Sequence, residues 1–156
     1  VALALEDAGL PAHRLELEIT ESVLLANTEG NIRTLQALKD LGVRISLDDF
    51  GTGQSSLGRL RDFTFDKVKI DRAFVARISN DKASEHIIKA IVAMCEGLDL
   101  AVVAEGIEDF SEALKLKALG CGMGQGYFYG KPADAVATMR YLADRYVSVE
   151  GRTASA

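Results

Sequence analysis

Three short segments of the chain, 15–20, 43–49 and 67–71, alternate apolar and polar residues with the period of a β-strand, and a fourth, 101–105, is an apolar run ending in a glutamate. Each carries a charged residue of the same parity near its C-terminal end: Glu18, Asp48, Lys69 and Glu105. The separations between them are 30, 21 and 36 residues, each close to one β–α unit. Stretches of helical periodicity fill the gaps, so strand and helix alternate and a parallel sheet is expected. Parallel strands packed between helices are ordinarily apolar on both faces. These are not. The helices must therefore cover the apolar parity, leaving the polar parity to face a common interior with its charges gathered at one mouth. That is the arrangement of an α/β fold of the (β/α)8, TIM-barrel type, with its site at the C-terminal rim. An open doubly wound sheet does not normally bring four strand-end charges from consecutive units together.

The remaining elements follow from periodicity and punctuation. The opening VALALED reads as a helix met in mid-course, with Gly9 as its stop. A helix over 30–41 places Ile32, Leu35, Leu38 and Leu41 on one stripe, and Gly42 ends it. The segment SSLGRLRDF reads as a short helix or ordered loop. Ser79, Asn80 and Asp81 mark a loop and cap before a helix over 83–97 with the stripe Ile87, Ile88, Ile91, Val92 and Cys95. A helix over 110–119 runs into the glycine-dense LGCGMGQGYFYGKP, read as one or two short strands and a tight loop. A last amphipathic helix spans 134–147. The domain is expected to occupy 1–147, with 148–156 a flexible tail. About five strands are legible where a closed barrel needs eight. The barrel is thus expected to be incomplete, its first two or three β/α units lying before Val1.

Composition sets limits. The chain has 156 residues, 48% hydrophobic and 26% charged, enough for one domain with a real core and unlike a disordered chain. Its formal charge is −5 with no basic run, which argues against duplex nucleic acid and an anionic membrane surface as partners. No apolar run reaches the roughly 20 residues of a membrane span, and the first residues do not form a signal peptide. Cys95 and Cys121 stand alone and far apart, as reduced core thiols of a cytoplasmic protein do.

The densest chemistry lies in ISLDDFGTG. Asp48 and Asp49 are adjacent at a strand end, and Gly51 and Gly53 permit a sharp turn directly after them. Two neighbouring carboxylates repel unless a cation sits between them, and a divalent metal is the natural candidate.

Five segments, LELEITES, ISLDDFGTGQSSL, DKVKIDRAF, VVAEGIE and LGCGMGQGYFYGKP, stand in an order and spacing that resembles the EAL-type cyclic di-GMP phosphodiesterase domain of bacterial signalling proteins. They span most of the chain from Leu15 to Pro132. The Glu-Ala-Leu motif and a metal-binding asparagine of that family are not among these residues. The resemblance implies that Glu18 and Asp48 are metal ligands and that Asp49 and Asp71 serve a second metal or its water. Two Mg²⁺ or Mn²⁺ ions suit such hard oxygen ligands. It further implies that Lys69 lies by the attacking water and the scissile phosphate, and that Glu105 is the general base. Glu21 would hold the DFGTG loop, and Glu108, Gln125 and Lys131 would belong to the substrate rim. The activity implied is hydrolysis of cyclic di-GMP to linear pGpG, with these 156 residues alone expected to be inactive for want of the missing ligands. The alternative is a binding module of the same fold, sensing cyclic di-GMP or a protein partner without turnover. Expected partners are cyclic di-GMP, a second copy in a homodimer, and sensory or regulatory domains of a cytoplasmic or membrane-anchored parent. Gln54, Thr64 and Gly130 depart from the family's usual residues, and bear on loop rigidity and base contacts more than on chemistry.

Other residues carry plainer readings. Glu16 and Arg44 share the interior parity at a deeper level and are expected to form an internal ion pair. His13 and His86 are not read as ligands. Tyr127, Phe128 and Tyr129 are read as packing residues rather than a stacking platform, and Arg72 as an anchor for the loop after its strand.

Overall fold

The computed structural model describes residues 1–25, 29–51, 60 and 63–153. The elements run α1 (Ala2–Asp7), a 3-10 turn (Ala12–Arg14), β1 (Glu16–Thr20), α2 (Glu21–Leu25), α3 (Glu29–Asp40), β2 (Arg44–Phe50), β3 (Lys67–Ile70), α4 (Arg72–Val75), α5 (Lys82–Gly97), β4 (Ala101–Ala104), α6 (Phe110–Ala118), β5 (Met123–Gly124) and α7 (Ala135–Thr153). The five strands form one sheet in the order β1-β2-β3-β4-β5, every neighbouring pair parallel. Consecutive strands are adjacent, with α2 and α3 between β1 and β2, α4 and α5 between β3 and β4, and α6 between β4 and β5, as in an incomplete (β/α)8 barrel. Gln54 and most of SSLGRLRDF lie outside the described residues.

The split between the two parities is visible in the core. Ile45 and Leu47 of β2, Val68 and Ile70 of β3, and Val102 and Ala104 of β4 are all buried on the helix side of the sheet. They pack with Ile88, Ile91 and Cys95 of α5 and Leu116 of α6. The helix stripes are narrower than their periodicity suggests. Only Leu35 of α3 is buried, and Ile32, Leu41 and Ile87 are exposed. Cys95 and Cys121 are buried free thiols, and burial pushes the Cys95 thiol up to about 11.

Helix starts are set by side chains. Asp81 caps α5 by accepting from the Ala83 and Ser84 amides, and Asp109 caps α6 in a reciprocal box with Glu112. The last helix continues past residue 147. No helix among the described residues is long and apolar enough to cross a membrane.

On the interior face, Glu16 bonds Lys67 at 2.7 Å instead of its strand neighbour Arg44. The register explains the choice. Ser46 of β2 lies directly beside Lys67 and beside Glu18. Its small side chain leaves room for lysines of β3 to reach the carboxylates of β1 across β2.

Candidate active site

Lys69 is the centre of the rim. It points into the interior, is only 4% exposed, and its ammonium meets Glu105 at 2.7 Å, Glu18 at 2.8 Å and Asp48 at 3.1 Å. Four residues from four strand ends thus converge on one point, as their shared parity predicts. Burial alone lowers a lysine pKa, but the hydrogen bonds that Lys69 donates to Glu105, Glu18 and Asp48 outweigh it and hold Lys69 above its ordinary value. The ammonium is therefore a fixed charge.

Strict alternation would send Asp48 and Asp49 to opposite faces of β2. They do not go there. The pairing of β2 with β3 shifts register between Leu47 and Phe50, and Asp49 adopts φ +55°. That left-handed conformation is one an aspartate tolerates better than most residues. The kink turns Asp49 back toward Asp48, while Phe50 returns to the core at 4% exposure. One oxygen from each of Asp48, Asp49 and Glu105 lies within 4.8 Å of the others. Burial, then the neighbouring charges of Asp48 and Asp71, raise the Asp49 pKa. Burial likewise raises that of Glu105, with Lys69 opposing.

The other rim residues take up distinct places. Glu18 joins the cluster through Lys69, and the charge of Asp71 acts on Asp49. Asp71 also caps α4, accepting from the Ala73 amide at 2.8 Å. Glu21 is buried, at 6% exposure, with neither carboxylate oxygen hydrogen-bonded to a described residue. The turn it is expected to hold lies, from residue 52 onward, outside the described residues. Glu108 and Gln125 line a cavity of about 270 Å³ with Asp49, Asp71 and Glu105. Lys131 stands apart from that cavity, its ammonium 5.6 Å from the centre of the Tyr127 ring.

Two residues of this cavity have a different place from the one their sequence suggests. Arg72 lines it, and Tyr127, 60% exposed, forms part of its wall. Phe128 and Tyr129 do make a packing contact, edge to face at 5.0 Å, though both remain partly exposed. No local pattern distinguishes Tyr127 from its two aromatic neighbours. Only the fold of the glycine loop does.

The profile of the EAL domain family matches residues 1–132. The chain belongs to the EAL domain family. NbdA of Pseudomonas aeruginosa, a cyclic di-GMP phosphodiesterase, is 43% identical over 89% of this EAL chain and 18% of its own length. The EAL domain of Mycobacterium smegmatis DcpA is 36% identical with a TM-score of 0.84, over 92% of this chain and 64% of that one. BlrP1 of Klebsiella pneumoniae, solved with manganese and cyclic di-GMP at pH 9.0, is 33% identical with a TM-score of 0.79, over 83% of this chain and 33% of that one. This EAL chain spans 15–20% of the length of the curated relatives it matches.

Proposed function

We propose that this EAL chain carries active-site residues of a cyclic di-GMP phosphodiesterase, which hydrolyses the cyclic dinucleotide to linear pGpG. The observation that carries this reading is the convergence of Glu18, Asp48 and Glu105 on the buried Lys69, beside the three-carboxylate cluster of Asp48, Asp49 and Glu105. A sensor that only binds has no need of a proton acceptor held against a fixed ammonium.

The donor set fits divalent cations. Its oxygens are hard and anionic, and one lysine is outnumbered by the carboxylates of Glu18, Asp48, Asp49, Asp71 and Glu105. Asp48 and Asp49 would hold such an ion with Glu105 at its edge, and Glu18 and Asp71 would add their carboxylates to the set. When bound, Mg²⁺ or Mn²⁺ ions polarise water and the phosphodiester oxygens. BlrP1 supports the choice of metal, since its manganese complex contains cyclic di-GMP.

The chain's own residues do the rest. Lys69 holds Glu105, Glu18 and Asp48 in place and offsets charge that develops on phosphorus. Glu105, whose pKa burial raises, takes a proton from the attacking water. Glu21 supports the DFGTG turn. Glu108, Gln125 and Lys131 contact substrate at the rim. A second copy and sensory or regulatory domains are the proposed partners, consistent with the small share of NbdA that this chain covers.

The test is Glu105→Gln in the native protein, assayed with Mg²⁺ and with Mn²⁺. Turnover should fall by roughly 10²–10⁴-fold, the usual range for a general base, while cyclic di-GMP still binds. A native protein that binds cyclic di-GMP and never cleaves it would establish the sensor instead.

A further inference from the structure

The rim cavity holds one cation that the proposed chemistry leaves unused. Arg72 lines it beside Asp49, Asp71, Glu105 and Glu108. Its side chain is exposed and makes no hydrogen bond or ion pair with any described residue. A guanidinium that pairs with no described residue is available to a ligand.

Its position is fixed by the backbone around it. Gly106, at φ +71°, packs so closely that an added Cβ would stand 2.5 Å from the Arg72 Cβ. Gly126 packs as closely on the other side, where an added Cβ would strike the Ile107 backbone. The Ile107 amide donates to the Gln125 carbonyl at 3.1 Å, and the Phe128 amide donates to the Ile107 carbonyl at 3.0 Å. Three segments, at 72, 106–108 and 125–127, are thereby locked into one wall that presents Arg72, Glu108, Gln125 and Tyr127 together. Gln125, Gly126 and Tyr127 line both this cavity and the neighbouring one that Lys131 lines.

We infer that Arg72 is a specificity-determining residue that reads a guanine base of the substrate, with Glu108 and Gln125 on the base's other edge and Tyr127 against its face. This rests on the cyclic di-GMP reading above. A base fits better than a phosphate here, because Glu108 and the Gln125 side-chain carbonyl are acceptors to which a phosphate, itself all acceptors, offers no donor. Guanine offers the O6 and N7 acceptors that match the guanidinium fork. Its N1–H and exocyclic N2 amine donate, as the acceptors of Glu108 and Gln125 require. Adenine would turn its N6 donor toward the guanidinium and lose that pair.

The experiment compares cyclic di-GMP with cyclic di-AMP in the native protein and in Arg72→Met and Arg72→Lys, by steady-state kinetics and equilibrium binding. For Arg72→Met, KM and Kd for cyclic di-GMP should rise roughly 10- to 100-fold, the range of one bidentate contact to a guanine edge, with kcat little changed. Preference for guanine over adenine should fall by the same factor. Arg72→Lys, which keeps the charge and loses the fork, should fall between. The inference is overturned if either soluble variant keeps the wild-type preference, if both dinucleotides weaken equally, or if the wild type shows no preference for guanine. A wild type that binds cyclic di-GMP without cleaving it refutes the hydrolytic reading alone, and the Kd ratio still decides Arg72.

Discussion

At the scale of single residues, Lys69 and Asp49 show the two costs that this site imposes. Lys69 is a buried cation that three carboxylates require, so its removal leaves them facing one another. Lys69→Met should destabilise the fold by roughly 3 kcal/mol or more, as breaking a buried ionic cluster does. Added Mn²⁺ should restore part of that loss, and thermal unfolding with and without the ion measures both effects. Asp49 is a crowded anion in a left-handed backbone, and its neighbours Asp48 and Asp71 raise its pKa after burial does. Asn tolerates the same backbone without the charge. Asp49→Asn should therefore raise the unfolding temperature while weakening Mn²⁺ binding roughly tenfold or more, read by calorimetric titration.

Among elements, the helices that cover the sheet are begun by aspartates whose carboxylates accept backbone amides. Hydrogen bonding by the Ser84 hydroxyl and the Ala83 amide holds the Asp81 carboxyl below its ordinary 3.8. A carboxylate whose folded pKa is depressed contributes stability above its unfolded pKa and loses it as pH falls through the folded value. Asp81→Asn should thus flatten the decline in stability below about pH 4, where the wild type loses the cap, and change the neutral side less steeply. Chemical denaturation across an acid pH series reads this directly. The β2 strand makes the complementary point. Its register shift at Leu47–Phe50 interrupts a regular ladder, and that irregularity is what brings Asp48 and Asp49 together. Bulges of this kind re-aim side chains beside functional sites.

The whole molecule is a sheet with two ends. Among the described residues, β1 pairs only with β2 and β5 only with β4. Exposed apolar side chains are also carried on α1, at Leu3, and on α7, at Val136 and Met139. Unpaired edges and exposed apolar side chains recruit other chains. A polypeptide of these 156 residues alone should therefore associate with itself, and light scattering that finds a clean monomer would contradict this.

How much of this was legible beforehand follows from the range of the forces involved. Alternation along 15–20, 43–49 and 67–71 is a local pattern, and burial of one parity against helices follows from it, as Ile45 and Val68 show. Parallel order and the meeting of Glu18, Asp48, Lys69 and Glu105 follow too, because parity and unit length survive any detail of packing. The partner of Glu16 did not follow, since it depends on a small Ser46 leaving space across a strand. The kink at Asp49 did not follow either, because alternation predicts the opposite. Arg72 and Tyr127 entered the rim only through the close approach of Gly106 and Gly126 to neighbouring backbone. Side-chain periodicity is written in the chain itself. Contacts between distant segments exist only once the sheet has set their distance.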